Sequence, residues 1–197
     1  MKIETSPLIS VVIPTYNHAD FLKIAINSIL EQTYQNFEVV IIDNYSKDHT
    51  EEVIDSFNDD RISLSKINNN GVIGASRNLG VEQTKGSWIA YLDSDDYWYP
   101  TRLNKVVRHL DCSTAADVIS TDEYKINKLT GDKDALVYGP LGEPKYKSLL
   151  LYGNRLSTSA TIVRKQFLIE NGIRFNENLE FVTVEDYDYW LQLANAN

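Results

Sequence analysis

Three aspartates, Asp93, Asp95 and Asp96, directly follow the apolar run Trp88–Leu92. Burial and mutual repulsion both disfavour several ionised carboxylates side by side, and a bound divalent cation removes that conflict. Mg²⁺ and Mn²⁺ prefer oxygen ligands and typically combine one or two carboxylates with substrate phosphates. An Asp-x-Asp sequence at a strand end therefore predicts a binding site for a metal-bound diphosphate. The alternative is a solvated turn that caps a helix beginning near Pro100.

A second acidic pair, Glu185 and Asp186, begins an amphipathic stretch that continues to Ala194. The positive end of a helix dipole stabilises ionised carboxylates at such a position. An ionised Asp186 can accept a proton from an attacking hydroxyl group, which makes it a candidate general base. The alternative is that the pair only stabilises the start of the helix.

Strands and helices alternate over the first half of the predicted structure. Short β-branched and apolar runs such as Ile9–Ile13 are typical of buried strands, and apolar residues at helical spacing lie between them. Alternation of this kind predicts a mostly parallel sheet with helices on both faces. The predicted order is strand Ile9–Ile13, helix Ala19–Gln32, strand Phe37–Ile42, helix Thr50–Phe57, strand Arg61–Ile67, helix Val72–Thr84 and strand Trp88–Leu92.

Ligands of such sheets bind beyond the carboxyl ends of the strands. The polar residues directly after the first, second and fourth predicted strands are therefore the expected site. They are Pro14, Thr15, Tyr16 and Asn17, then Asp43 and Asn44, and then Asp93, Ser94, Asp95 and Asp96.

The pattern is less regular in the second half of the chain. Trp98 and Tyr99 either stack on a sugar or pack beneath the helix that starts at Pro100. The predicted elements are helices Pro100–Leu110, Tyr146–Tyr152, Lys165–Asn171 and Glu185–Ala194, strands Asp117–Thr121 and Ser159–Val163, and a hairpin or loop excursion over Asp122–Tyr138.

The composition is that of an ordinary globular protein. The 197 residues are 43% hydrophobic and 24% charged, which excludes a disordered or collagen-like chain. The net charge of −9 argues against a general nucleic-acid binder, because such a protein needs a basic surface. The single cysteine, Cys112, fits a reducing compartment. Neither a secretory pattern nor a run of about 20 apolar residues is present.

Two other nucleotide-dependent classes of enzyme are excluded by the first strand end. A dinucleotide-dependent dehydrogenase needs Gly-x-Gly-x-x-Gly there, and a sugar-phosphate nucleotidyltransferase needs a glycine-rich, basic loop. The segment Pro14–Asn17 fits neither. The three histidines, His18, His49 and His109, lack the spacing of metal ligands and are predicted to lie at the surface or in loops.

Four blocks of sequence together resemble the inverting glycosyltransferases of family two, which have the GT-A fold. The resemblance extends from Ile9 to Leu193. Its specificity comes from the order and spacing of the blocks, since no single block is decisive. The blocks are Val12–Asn17, then Ile41–Thr50, then Gly74–Gly80 with Lys85–Gly86 and Tyr91–Asp96, and finally Glu185–Leu191.

The resemblance implies a role for each matching residue. Asp43, followed by Asn44, would accept a hydrogen bond from the base, typically uracil N3–H, and Arg77 would lie near the nucleotide or the diphosphate. Asp186 would be the catalytic base. The turn that would border the nucleotide is Pro14, Thr15, Tyr16 and Asn17, and the residues toward the ribose, diphosphate and metal are Asp93, Ser94 and Asp95, with Asp95 and Asp93 as the metal ligands.

One departure from the family pattern affects the second block. The family often has Asp-Asp-Gly-Ser after the second strand, whereas Asn44 and Tyr45 replace the second Asp and the Gly here. A tyrosine lacks the conformational freedom of glycine at that turn. The pocket for the base is therefore expected to be reshaped at this turn.

The resemblance implies an α/β GT-A domain: a Rossmann-like, mostly parallel sheet flanked by helices. Residues 1–197 are expected to form one domain, truncated at its C-terminus, in which residues 1–100 bind the nucleotide sugar and the less regular residues 101–197 face the acceptor.

The implied reaction is transfer of a sugar, with inversion, from a nucleoside-diphosphate sugar to an acceptor hydroxyl. UDP is the expected nucleotide and Mn²⁺ or Mg²⁺ the expected cofactor. The acceptor is a saccharide, a lipid-linked molecule or another hydroxyl compound, in polysaccharide or glycoconjugate biosynthesis. The expected location is the cytoplasm, with association at the inner face of the membrane left open. The alternative is a non-catalytic nucleotide-sugar-binding module or one inactive half of a larger enzyme.

Overall fold

The computed structural model describes residues 6–112, 116–127, 129–138 and 145–196. Strands and helices alternate up to α4, as the sequence predicts, and a two-stranded hairpin follows β5. In chain order the elements are β1 Ile9–Thr15, α1 Ala19–Leu30, β2 Phe37–Asp43, α2 Thr50–Asp55, β3 Ile62–Lys66, α3 Ile73–Gln83, β4 Trp88–Tyr91, α4 Arg102–Cys112, β5 Val118–Ser120, β6 Glu123–Ile126, β7 Lys133–Leu136, α5 Lys145–Tyr152, β8 Thr161–Arg164, α6 Lys165–Asn171, a 3₁₀ turn Leu179–Phe181 and α7 Glu185–Ala196.

A six-stranded sheet has the order β3-β2-β1-β4-β8-β5. The strands β3, β2, β1 and β4 pair in parallel, and β8 pairs antiparallel with both β4 and β5. The predicted class, a mostly parallel α/β sheet of the GT-A type, is therefore confirmed. The predicted hairpin is also confirmed, because β6 and β7 pair antiparallel within residues 123–136.

β1 continues through Pro14 to Thr15, so the prediction that Pro14 ends the strand is wrong. The carbonyl oxygen of Val12 accepts a hydrogen bond from the backbone N–H of Leu92, so the backbone polar groups of Val12 point toward β4. The backbone of Pro14, two residues further along the strand, is directed to the same side. Pairing with β4 stops at Val12, while pairing with β2 continues to Thr15. The missing N–H of proline consequently faces no strand, and the strand tolerates it.

The core lies on both faces of the sheet. Val11 and Ile13 pack with α1 and α4 on one face, whereas Val12 packs with α6 and α7 on the other. This alternation is the period of two that a strand imposes on its side chains. A Cβ added at Gly80 of α3 would lie 2.3 Å from Cγ1 of Val12, so this glycine lets α3 approach the sheet closely.

Among the residues that the structure describes, no helix has both the length and the apolar character needed to span a bilayer.

Candidate active site

The carboxyl ends of β1, β2 and β4 meet at one edge of the sheet. Thr15 pairs with Asp43, and the backbone N–H of Asn44 donates to the carbonyl oxygen of Thr15 at 3.0 Å. On the other side of β1, the N–H of Leu92 donates to the carbonyl oxygen of Val12 at 3.1 Å. The structure therefore brings together the three polar segments that the sequence places after these strands.

The segment after β2 folds around the carboxylate of Asp43, which is 3% exposed. Both the backbone N–H and the hydroxyl group of Ser46 donate to it. Tyr45 has φ +53°, the left-handed conformation that glycine adopts easily, and its ring is 58% exposed. The tyrosine therefore occupies a backbone conformation that favours glycine and presents an exposed side chain near Asp43.

Asn17 ties the turn after β1 to the segment after β2. Its backbone has φ +52°, and its N–H donates to the hydroxyl oxygen of Ser46 at 2.8 Å. Its side-chain oxygen accepts the N–H of Lys47 at 2.7 Å. The amide oxygen of Asn44 accepts the backbone N–H of Asn69 at 3.0 Å, so the loop before α3 joins the same edge.

The acidic turn after β4 presents its three carboxylates differently. The N–H of Asp96 donates to the carbonyl oxygen of Asp93 and closes the turn. One oxygen of Asp93 is paired with Arg77, and its side chain is 30% exposed. Asp95 is exposed, and within the described part of the chain its side chain makes no hydrogen bond.

Asp96 is held from the opposite side of the turn. Its Oδ2 accepts the hydroxyl of Ser159 at 2.6 Å. Although the residue as a whole is exposed, desolvation of its carboxyl raises the pKa of Asp96, and the charges of Asp93 and Asp95 add to that rise. Asp93 and Asp96 are therefore both held by neighbouring side chains, Arg77 and Ser159, whereas Asp95 is not.

The oxygens of Asp93 and Asp95 are of the chemical type that Mg²⁺ and Mn²⁺ prefer. Over the described ranges, no group of three or more His, Cys, Asp or Glu side chains is arranged to hold a metal ion. Two carboxylates fit a cation that takes its remaining ligands from diphosphate and water, which is the usual arrangement for Mg²⁺. The donor set thus fits a metal that binds together with a nucleotide.

Arg77 links the acidic turn to the start of α7. Its guanidinium lies 2.8 Å from Oδ1 of Asp93 and 3.0 Å from Oε1 of Glu185, and its side chain is only 4% exposed. The ring of Phe175 lies 5.1 Å from the guanidinium. Burial opposes the charge of Arg77, but attraction by Asp93 and Glu185 outweighs it and raises the pKa of the arginine. Residues from three distant parts of the chain are thereby fixed to one another.

Asp186, the candidate base, is half-buried at the first turn of α7. Its Oδ2 accepts the amide of Asn154 at 2.8 Å, and its Oδ1 accepts the N–H of Tyr187 at 2.6 Å. Thr183, just before the helix, has φ +79°, which is rare for a β-branched residue. Such strain is typical of functional segments that the surrounding structure holds in place.

The contacts that four residues make in this region were not predicted from the sequence. Ser159 and Asn154 precede β8, Glu185 was assigned no partner, and His18 was regarded as an isolated loop residue. His18 is exposed, as predicted, but its Nδ1 lies 3.0 Å from the hydroxyl oxygen of Ser94. Two of them carried a sequence signal: Glu185 adjoins Asp186 in the predicted acidic pair, and His18 directly follows the polar segment after β1.

A cavity of about 390 Å³ lies between α3, α6 and α7. Its walls are mostly apolar, and none of the predicted site residues lines it. The converging strand ends, rather than this cavity, therefore contain the candidate chemistry.

The chain is similar to several known proteins. An uncharacterized glycosyltransferase of Rickettsia prowazekii is 31% identical over 198 residues, which cover 98% of this chain and 60% of the relative. The UDP-Glc:alpha-D-GlcNAc-diphosphoundecaprenol beta-1,3-glucosyltransferase WfaP of Escherichia coli is 31% identical over 191 residues, which cover 95% of this chain and 70% of that protein. The chain thus spans about 60% of the first of these proteins and 70% of the second.

A solved structure has the same fold. S. aureus TarS 1-349 in complex with UDP-GlcNAc is 27% identical and has a TM-score of 0.79, with 95% of this chain and 53% of that chain covered. The family model described as Glycosyl transferase family 2 matches residues 10–170. The chain therefore belongs to glycosyl transferase family 2.

Proposed function

We propose that this protein transfers a sugar from a UDP-sugar to an acceptor hydroxyl with inversion at the sugar carbon C1, and that the reaction depends on a divalent metal. The observation that carries the proposal is the link from the acidic turn through Arg77 and Glu185 to Asp186. This link supports the proposal because it connects the acidic turn, which carries the candidate metal ligands, to the helix start that carries the candidate base. WfaP, which is named as a UDP-glucose-dependent transferase, and TarS, which is described in complex with UDP-GlcNAc, support the choice of donor.

The donor would lie across the strand ends. The segment Pro14–Asn17 would border the nucleotide together with Asn44, and Asp43 would accept N3–H of uracil. Ser46 already holds the Asp43 carboxylate in place from one side. The exposed ring of Tyr45 would extend the base pocket, since aromatic rings stack readily on bases.

Asp95 and Asp93 would hold Mn²⁺ or Mg²⁺, with Ser94 between them and the ribose and diphosphate nearby. The metal, when bound, offsets the negative charge that develops on the departing diphosphate. Arg77 is nearly fully buried, so it would not contact the donor directly. It would act mainly by orienting the side chain of Asp93.

Asp186 would accept the proton of the acceptor hydroxyl while that oxygen attacks C1 of the sugar. A bond forms between the acceptor oxygen and C1, the bond from C1 to the diphosphate oxygen breaks, and UDP leaves with the bonding electrons. A single displacement from the opposite face inverts the anomeric centre. Asn154 would keep the base oriented, because its amide donates to Oδ2 of Asp186.

Residues 1–100 would bind the donor, and residues 101–197 would face the acceptor. WfaP is named for a lipid-linked diphosphate acceptor, which supports a role in polysaccharide or glycoconjugate biosynthesis and an acceptor of this kind. The proposed location is the cytoplasm at the inner face of the membrane, where such a lipid would be reached. The single cysteine fits that compartment.

Hydrolysis of UDP-glucose and UDP-GlcNAc in the presence of Mn²⁺, detected by mass spectrometry, tests the proposal. Asp186→Asn is expected to lower the rate by about 100-fold or more, since general bases contribute that much. Its affinity for UDP, measured by calorimetry, is expected to stay within about twofold of the wild type. Asp188→Asn, in the same helical turn, is the matched control.

Unchanged turnover in Asp186→Asn would remove this residue from the mechanism. UDP binding without any turnover in the wild type would instead favour the non-catalytic module or the inactive half of a larger enzyme. Equal Asp186→Asn and Asp188→Asn rates, both low, would indicate that the start of α7 acts only as a structural support.

A further inference from the structure

Ser159 lies outside all four sequence blocks that mark the family, yet it makes two hydrogen bonds to the acidic turn and a third to Trp98, just beyond it. It is 5% exposed and lies two residues before β8. Its hydroxyl oxygen accepts the N–H of Asp93 at 3.0 Å, and its hydroxyl group donates to Oδ2 of Asp96 at 2.6 Å. Its carbonyl oxygen accepts the indole N–H of Trp98 at 2.9 Å. One serine therefore binds the first residue of the turn, the last residue of the turn and the aromatic residue beyond it.

Trp98 makes this arrangement rigid. Its side chain is buried, so it packs in the core, as one of the two sequence interpretations predicts. Its backbone N–H donates to the hydroxyl oxygen of Ser28 in α1 at 3.1 Å, and the guanidinium of Arg102 lies 4.1 Å from its ring. A buried residue whose indole and backbone N–H groups are both hydrogen-bonded, and whose ring is covered by a cation, has little freedom to move. The carbonyl oxygen of Ser159 is thus hydrogen-bonded to a side chain that is itself held in place by the core.

The hydroxyl of Ser159 also makes the three carboxylates of the turn differ in their contacts. It engages Asp96, whereas Asp95 is left exposed without a hydrogen bond in the described part of the chain. It fixes the backbone of Asp93 at the same time, while Arg77 holds the side chain of Asp93. Without this hydroxyl, the turn loses the contact that separates Asp96 from the other two aspartates.

We infer that Ser159 is a positioning residue of the donor site: its hydroxyl fixes the Asp93–Asp96 turn in the shape that presents Asp95 and Asp93 to the metal and the diphosphate. The inference rests on the proposed function. It concerns a residue whose hydroxyl is bonded to Asp93 and Asp96 and which therefore acts through the acidic turn. Groups that orient metal ligands in this way typically change metal affinity by 10- to 100-fold when they are removed.

The test compares Ser159→Ala, Ser159→Thr and Ser120→Ala. Ser120 of the neighbouring strand β5 has a buried hydroxyl oxygen with no hydrogen-bond partner in the described structure, so its removal is the matched control. Binding of Mn²⁺ in the presence of saturating UDP is followed by calorimetry and by electron paramagnetic resonance of the metal. The melting temperature of each variant is recorded alongside, and UDP-glucose hydrolysis is measured as a function of Mn²⁺ concentration.

Ser159→Ala is expected to weaken Mn²⁺ binding about 10-fold and to raise the Mn²⁺ concentration for half-maximal hydrolysis by the same factor. The rate at saturating Mn²⁺ is expected to change little, because Asp186 is untouched. Ser159→Thr, which keeps the hydroxyl, is expected to restore most of the affinity. Ser120→Ala is expected to behave as the wild type.

Wild-type Mn²⁺ affinity in a folded Ser159→Ala variant would overturn the inference. Equal losses in Ser159→Ala and Ser159→Thr would overturn it as well, since they would assign the effect to packing and not to the hydroxyl. A wild-type protein that binds Mn²⁺–UDP without turnover, with binding weakened in Ser159→Ala, would uphold the inference while the proposed catalytic function fails.

Discussion

Tyr45 occupies a backbone conformation that costs an L-residue free energy. Its φ of +53° lies in the left-handed region, which is unfavourable by about 1–2 kcal/mol for most side chains and less so for asparagine. Tyr45→Asn is therefore expected to raise the free energy of unfolding by about 0.5–1 kcal/mol in urea denaturation. The turn keeps its shape because Ser46 still bonds to Asp43.

Tyr16→Asn is the control for that change. Tyr16 is similarly exposed, at 48% against 58% for Tyr45, and it does not have a positive φ. Its replacement is expected to leave the free energy of unfolding within about 0.5 kcal/mol of the wild type. Equal effects of the two substitutions would mean that loss of an exposed ring, and not relief of backbone strain, explains the result.

At the residue scale, the sequence carries information about groups that are close together in the chain. Asp93 and Asp95 could be singled out because they follow one apolar strand, and the structure places them at the sheet edge where strand-end residues meet. The bond from Ser159 to Asp96 joins residues 63 positions apart, and that from Arg77 to Glu185 joins residues 108 positions apart. Nothing local distinguishes Ser159 from other serines, and the acidic pair at the start of α7 marks Glu185 without indicating that its partner is Arg77.

Two helix starts depend on one carboxylate, that of Asp48. Its oxygens accept the backbone N–H of Ala19 at the start of α1 at 3.0 Å and that of Thr50 at the start of α2 at 3.1 Å. Desolvation raises the pKa of Asp48, but the hydrogen bonds from Thr50 and Ala19 outweigh it, so the pKa lies below the ordinary value of 3.8. The ionised carboxylate thus stabilises the folded protein.

Asp48→Asn is expected to lower the free energy of unfolding by about 1 kcal/mol at pH 7, the usual contribution of a helix cap. A depressed folded pKa means that the stabilisation by charge is complete above pH 3.8 and is lost as the pH falls through the folded pKa. The difference in the free energy of unfolding between the wild type and Asp48→Asn, measured by urea denaturation, should therefore be constant from neutral pH to about pH 5. It should become smaller below pH 4.

Asp60→Asn is the control for the helix caps. Asp60 is exposed, and in the described part of the chain its side chain makes no hydrogen bond, so its replacement should change stability little. If the difference in the free energy of unfolding between the wild type and Asp48→Asn stays constant below pH 4, the shape of the cap, and not its charge, stabilises the two helices.

At the element scale, most strands and helices could be predicted, but not all neighbours in the sheet. Apolar runs and helical spacing mark β1 to β4 and α1 to α3, because these patterns are local. The position of β8 between β4 and β5 could not be predicted, since Ile89 pairs with Val163 across more than 70 residues. Ser159 enters the site only because β8 lies beside β4.

At the scale of the whole molecule, the two halves of the chain share one sheet. β8 lies between β4 and β5, and α7 packs on the same face of the sheet as Val12. The start of α7 is consequently fixed against the acidic turn through Arg77. Two halves that share one core can hold the acidic turn and the start of α7 at a constant separation, which a flexible linker would not do.

The net charge of −9 has a consequence for an anionic ligand such as UDP. Long-range repulsion slows the approach of an anion to an acidic protein, and salt screens it beyond about 10 Å at 0.1 M. The association rate constant of UDP without metal is therefore expected to rise roughly two- to fivefold between about 20 and about 200 mM NaCl in stopped-flow measurements. Attraction between opposite charges weakens with salt and would lower this rate constant. An increase with NaCl therefore indicates net repulsion between UDP and the protein.

Uridine, which carries no phosphate, is the matched control and should associate at a rate that NaCl leaves unchanged. Saturating Mn²⁺ should flatten the salt dependence of UDP, because cations near Asp93 and Asp95 offset the local negative charge. A rate constant for UDP that falls with NaCl would mean that nearby cationic side chains outweigh the net charge of −9. The diphosphate would then be attracted by the protein itself, and the acidic turn would not need a metal to receive it.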